Sequence, residues 1–332
     1  MSSEIILETR DLKKWFAVRG GFLSGLLSSK PKEYVRAVDG MSIQLRRGEV
    51  FAVVGESGCG KTTLARMIVR LEEPTDGEIW FEGEKVSEMP QHEFRKYRTR
   101  IQMIFQDPYG SLNSSMRIGD IVAEPLRIQN IYPSVEEELE KVKEALENVG
   151  MIPAEDYLKR YPHELSGGQR QRVAIAAALA LDPEVLIADE PVSMLDVSMR
   201  GQILKLLLDL REKMGITILF ITHNLAVAKQ MADRIAVTYL GKVVETGEAN
   251  QIINNPNHPY TKALVSVVPV PDPTDTREKI LLTGETPNPI KLPTGCRFHP
   301  RCPFAKPECA SSEPELKLQP DGRMVACHDE EE

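Results

Sequence analysis

The sequence predicts an α/β fold built on an open sheet, and three observations predict it. Apolar runs of strand length, Val50–Val54, Val185–Ala188 and Ile216–Thr222, each lead straight into a glycine-rich or polar turn. Helix-forming stretches separate them: residues 135–146 place apolar side chains three and four apart, and Arg170–Ala180 is rich in alanine. Short alternating segments from Ile5 to Gly48, broken by a polar loop from Gly20 to Pro31, read as an antiparallel flap beside that sheet. At 332 residues the chain has room for one large domain and a smaller appendage.

Composition narrows the classes. A formal net charge of -8 argues against nucleic acid as the main partner, because phosphate neutralisation needs a basic surface. No apolar run reaches the length of a membrane span, and the first residues lack a basic segment followed by an apolar core. A cytosolic chain is expected. The apolar stretch 21–27 is far too short to cross a bilayer and reads as a surface loop.

The run Val50–Val54 ends in Gly55-Glu56-Ser57-Gly58-Cys59-Gly60-Lys61-Thr62, followed by the helical Thr63–Ile68. Strand, glycine turn and helix start are the context in which G-x-x-x-x-G-K-[ST] reads as a phosphate-binding loop. Its glycines let several backbone N–H groups face one phosphate chain, and the helix adds its positive dipole end. Lys61 would reach the β and γ phosphates and the Thr62 hydroxyl would hold Mg²⁺. Nucleotide bound there would shield the Cys59 thiol from alkylation.

Further along, residues 77–83 read as a strand with turns at both ends, and the strand Ile101–Phe105 delivers Gln106 to its carboxyl end, where open sheets place ligands. From Ile118 to Arg160 the pattern is helical, which reads as a helical subdomain inserted over about 107–182. Leu165-Ser166-Gly167-Gly168-Gln169 opens the alanine-rich helix, with Ser166 as its cap and bare N–H groups available to an anion. The strand 185–189 ends in two carboxylates: Asp189 to hold Mg²⁺ through water, Glu190 to orient an attacking water. A turn through Leu195-Asp196 follows, and the third buried strand ends at His223, placed to hydrogen-bond a γ phosphate. Two more strands, 234–237 and 242–247, close the domain.

These motifs, in this order, resemble an ABC transporter ATP-binding subunit over roughly Ile5 to Gly247. The resemblance implies a P-loop NTPase core with an antiparallel β flap and helical subdomain, and assigns the cofactors ATP and Mg²⁺. Gly55 to Thr62 resembles Walker A, with Ser57, Gly58, Cys59, Gly60, Lys61, Thr62 and Thr63 around the phosphates. Gln106 matches the Q-loop glutamine, a magnesium ligand with Thr62 and Asp189; Val185–Asp189 matches Walker B. Glu190 is the catalytic carboxylate and His223 the switch histidine. Phe16 best matches the adenine-stacking aromatic, with Trp15 and Tyr34 as rivals. Ser166, Gly168 and Gln169 of the signature, and Asp196 of the D-loop, would complete the ATP site of an opposed subunit, so that a pair closes on ATP and parts after hydrolysis.

Beyond residue 248 the chain departs from a minimal ATPase. Residues 249–332 read as a Cys-rich extension: a His258-Pro259-Tyr260 helix start, a proline-rich linker over 271–293, and Cys296, Cys302, Cys309 and Cys327. Four thiolates suit zinc or a four-iron cluster. Successive cysteines are separated by five, six and seventeen residues, which disfavours a zinc ribbon. The tail resembles that of oligopeptide and dipeptide importer ATPases, which implies a [4Fe-4S] cluster on those four cysteines. It also implies a sister ABC ATPase as heterodimer partner, two transmembrane permease subunits, an extracytoplasmic substrate-binding protein, and residence on the cytoplasmic face of the cell membrane. An importer of oligosaccharide or nickel is the neighbouring reading; a soluble DNA-acting ABC ATPase is the distant one.

Overall fold

The computed structural model describes residues 4–18, 33–268, 279–282 and 284–328. The expected surface loop at 20–31, the linker stretch 271–278 and residue 283 lie outside the described residues. The chain divides into two compact units, one holding residues 46–50 and 88–221, the other 5–45, 51–87 and 222–332.

In the first unit the strands Ile101–Ile104, Val185–Asp189 and Thr217–Thr222 lie parallel, with Ile101 opposite Val185 and Val185 opposite Thr217. Every residue of the last two is buried, as expected of parallel strands covered on both faces. The helices Ile118–Gln129 and Val135–Asn148 bury one apolar stripe each, through Ile121, Val122 and Leu126 on the first and Val142, Ala145 and Leu146 on the second. Both pack on the alanine-rich helix Gly167–Leu179, whose small side chains permit close approach. Ser134 caps the second helix by accepting the Glu137 amide at 3.2 Å, and three glutamates in its first turn complement the dipole. The helix Val197–Met214 stops at Gly215, in the left-handed region at φ 68°.

In the second unit Val50–Val54 runs parallel to Arg234–Tyr239, which turns back through Lys242–Glu248. Lys242–Glu248 in turn pairs with Met324–Val325, which joins the carboxyl extension to the sheet. The flap is a four-stranded antiparallel sheet in the order Tyr34–Arg46, Ile5–Ala17, Asp76–Phe81, Glu84–Lys85. The strands Ile5–Ala17 and Tyr34–Arg46 are 13 residues each rather than the short segments expected; on Ile5–Ala17 a bulge between Arg10 and Lys13, with Asp11 at φ 44°, interrupts the side-chain alternation without ending the strand. Among the described residues no helix is long and apolar enough to cross a membrane.

Candidate nucleotide site

The phosphate loop forms where its sequence places it, between Val50–Val54 and the helix Lys61–Ile68. Two of its glycines are required by space, and Gly60 by conformation as well. A Cβ on Gly60, which sits at φ 96°, would come within 2.0 Å of the Ala37 carbonyl, and one on Gly55 within 2.3 Å of the Thr238 carbonyl. Lys61 is buried, and its Nζ donates to the carbonyls of Gly55 at 2.8 Å and Glu56 at 3.0 Å, spanning the loop from within. Thr62 and Thr63 occupy the first turn of the helix and are half-buried, whereas Ser57 and Gly58 are exposed at the loop's tip.

Cys59 departs from expectation. Its side chain is only 3 % exposed and its Sγ lies 3.1 Å from the Thr238 hydroxyl and 3.7 Å from Lys61 Nζ. The thiol turns down into the unit instead of toward solvent, so nucleotide has little left to shield.

Glu56 carries a contact that the sequence reading missed. Arg301, Thr286 and Tyr260 of the carboxyl extension all reach it. Burial raises the Glu56 carboxyl, but the Arg301 and Thr286 hydrogen bonds outweigh that and hold it below the ordinary glutamate range. The sequence signal was the His258-Pro259-Tyr260 segment, whose tyrosine hydroxyl lies 3.1 Å from the Glu56 amide. A second tie runs from Arg297 to Asp39, which also accepts the Trp15 indole N–H at 2.8 Å. Trp15 further carries the Arg36 guanidinium over its ring at 4.8 Å and lies 6.4 Å from Tyr34. Phe16 is half-exposed, with Lys14 Nζ 5.0 Å from its ring centre. His223 is exposed at the end of its strand, immediately before Asn224, which caps the next helix by accepting the Ala226 amide at 2.9 Å.

The first unit holds the other residues. Asp189 ends its strand with 2 % exposure. Glu190 follows at φ 46°, a left-handed conformation that costs a non-glycine residue energy and marks functional positions when it recurs there. Its amide donates to the Ile221 carbonyl at 2.9 Å, its carbonyl accepts from the Ser193 hydroxyl at 3.0 Å, and its carboxylate accepts the Gln106 side-chain amide at 3.2 Å. Ser166 caps Gly167–Leu179 in a reciprocal box: its hydroxyl accepts the Gln169 amide at 3.3 Å and the Gln169 side chain accepts the Ser166 amide at 3.0 Å. Gly168 is buried against Met199. Asp196 caps Val197–Met214, accepting the Met199 amide at 3.0 Å, and the Ser198 hydroxyl bond holds its carboxyl below the usual range.

The tail thiols are set among amides. Burial pushes the Cys296 thiol up to about 11 against the opposing amides of Phe298 and His299, and the charges of Cys327 and Cys309 act on it in the same direction as burial. Cys309 is buried and accepts the Lys306 amide at 3.4 Å. Among the described residues no three His, Cys, Asp or Glu side chains converge to hold a metal ion.

A glycine loop spanned by its own lysine, and a glutamate held by a glutamine after a buried strand, define the class as a phosphate-loop ATPase. The description "ABC transporter" matches residues 38–193, and "Oligopeptide/dipeptide transporter, C-terminal region" matches residues 244–309. The chain is 48% identical over 330 residues to the oligopeptide transport ATP-binding protein AppF of Bacillus subtilis, covering 98% of each. It is 50% identical over 299 residues to the putative oligopeptide transport ATP-binding protein YkfD of the same species, covering 90% of each. With the oligopeptide transport ATP-binding protein OppF of Escherichia coli the identity is 48% over 316 residues, 95% of this chain and 93% of that one. Among solved structures, the ATP-binding cassette MJ0796, a dimer in a post-hydrolysis state bound to ADP and Pi, superposes with a TM-score of 0.63 at 29% identity, covering 74% of this chain and 99% of that one. This chain belongs to the ATP-binding subunits of ABC transporters, in the oligopeptide/dipeptide branch, and is an ATPase.

Proposed function

We propose that this ATPase powers import of dipeptides or oligopeptides by closing with a second ATPase subunit on ATP and reopening after hydrolysis. The observation that carries the reading is the coexistence, in one chain, of a lysine-spanned phosphate loop and an oligopeptide/dipeptide-type carboxyl region. The second subunit is a sister chain, and the pair serves two permease subunits fed by a substrate-binding protein, at the cytoplasmic face of the membrane. In chain order the domains are the ATPase over 1–248, its helical subdomain over about 107–182, and the extension over 249–332.

In this reading Phe16 stacks on adenine; the amides of Gly55, Ser57, Gly58, Cys59 and Gly60, with Lys61 and Thr63, hold the phosphates. Thr62, Gln106 and Asp189 are the residues for Mg²⁺, which would neutralise charge as the γ phosphate departs. Glu190 orients the water and His223 contacts the γ phosphate. Ser166, Gly168, Gln169 and Asp196 serve the nucleotide of the opposed subunit.

The four tail cysteines are assigned a [4Fe-4S] cluster. What supports this is the donor chemistry: amides hydrogen-bonded to the Cys296 and Cys309 sulfurs, and a Cys296 thiol on which the charges of Cys327 and Cys309 act. Such a centre would serve to brace the tail.

ATP-dependent uptake by the purified transporter complex, with peptides and sugars in competition, tests the main reading. Inhibition by peptides alone is expected; inhibition by an oligosaccharide or nickel alone overturns the peptide assignment. Iron and sulfide analysis after anaerobic purification tests the cluster, and a colourless protein with stoichiometric zinc overturns it.

A further inference from the structure

Glu56, the second residue of the phosphate loop, is gripped by three residues more than two hundred positions away. Arg301 meets its carboxylate at two points, Nη1 to Oε2 at 2.9 Å and Nη2 to Oε1 at 3.2 Å. The Thr286 hydroxyl donates to Oε2 at 2.7 Å, and the Tyr260 hydroxyl accepts the Glu56 amide at 3.1 Å. Arg301 is only 9 % exposed and also donates to the Tyr239 hydroxyl at 3.3 Å. A two-point fork on a carboxylate is a geometry that arginine makes and lysine does not.

The electrostatic consequence lies inside the loop. Lys61 donates to the Glu56 carbonyl at 3.0 Å, and its charge acts on the Glu56 carboxylate. That carboxylate has the same sign as a nucleotide's phosphates. Left unpaired, it would compete with them for Lys61 and repel them. We propose that Arg301, backed by Thr286 and Tyr260, is a positioning residue for ATP: it neutralises Glu56 and fixes the first half of the loop, so that the carboxyl extension sets the loop's affinity for nucleotide. This rests on the reading of residues 55–62 as the phosphate cradle.

The test is titration of the purified full-length chain with fluorescent ATP and ADP analogues in Mg²⁺, alongside thermal melts. Lys61→Ala examines the cradle itself: it should lose binding of both nucleotides, and normal binding would sink that reading. Arg301→Met should weaken ATP by about tenfold, the scale of one partly buried charge, and ADP by less, because ADP carries less negative charge. Adding Glu56→Gln to Arg301→Met should restore ATP binding to within about twofold of wild type. Wild-type affinity in Arg301→Met overturns the proposal. So does an equal loss for ATP and ADP that Glu56→Gln leaves in place, since this would make Arg301 a packing residue only. Should Arg301→Met fail to fold, Arg301→Lys decides: a threefold or greater loss of ATP affinity, larger than the loss for ADP, supports the grip, and no difference overturns it.

Discussion

Gln106 donates its side-chain amide to the Glu190 carboxylate across 3.2 Å, joining the end of one strand to the residue just beyond its neighbour. Glu190 is held at its amide, its carbonyl and its carboxylate at once, in a backbone conformation that a glutamate adopts only under constraint. A side chain fixed this way is pre-aimed. Its charge, not its shape, is what Glu190→Gln removes.

That variant is therefore expected to bind MgATP as tightly as wild type while its turnover falls by about 10²–10⁴, the usual worth of a positioned base. Phosphate release measures the second quantity, and sedimentation with the sister ATPase subunit in MgATP should show a persistent pair. Undiminished turnover would remove Glu190 from the role of water-positioning group.

Gly60→Ala places a Cβ 2.0 Å from the Ala37 carbonyl at a residue with φ 96°. Backbone strain of this kind costs about 1–3 kcal/mol before any clash is relieved. A lowered melting temperature together with lost MgATP binding is expected. A variant that melts and binds like wild type would mean that the loop tolerates a different path.

Ser166→Ala deletes one half of a reciprocal cap and should cost about 1 kcal/mol of stability, read by chemical denaturation. ATP-driven pairing of subunits should weaken more than that small loss explains. Normal pairing with lowered stability would confine Ser166 to capping its own helix.

His258 gives a pH dependence with a definite sign. Its ring accepts the Tyr260 amide at 3.0 Å and is hydrogen-bonded to the Ala326 backbone, and burial, aided by the Lys262 charge, pushes its pKa down to about 3 from 6.5. The unfolded chain takes up this proton near 6.5 and the folded chain only near 3. Stability conferred by the neutral ring is thus complete above pH 6.5 and is lost as pH falls through that interval, by up to about 1.4 kcal/mol per unit. The lowered carboxylates of Asp39, Glu56 and Glu184 weaken the fold only in more acid solution. Denaturation curves at pH 7.5, 6.5 and 5.5 should show the decline, and His258→Asn should flatten it.

The local grammar of the chain was legible. Strand, loop and helix around Gly55–Thr62 follow from residues adjacent in sequence, as does the cap at Ser166. The division into two units was not, because it joins residues 5–45 to 222–332 through contacts that no local periodicity records. The long first strand was hidden by its bulge at Asp11. Cys59 misled because a motif names which residues form a turn without saying which way each one points. Arg301 was overlooked since its partner lies in another motif, and the thiols on either side of it drew a metal-centred reading of that segment.

Arg297 and Arg301 stand four residues apart on one short turn and neutralise Asp39 and Glu56, which belong to two separate stretches of the amino-terminal half. A cassette engineered to end after residue 248 would strip Glu56 of Arg301 and Thr286, leave Asp39 to Trp15 and Arg36, and lose the Phe298 ring from its place against Tyr239. Exchanging tails between related cassettes would meet the same obstacle unless positions 39 and 56 travelled with the graft. Residues 297–301 are thus matched to the two acids they meet, Asp39 and Glu56.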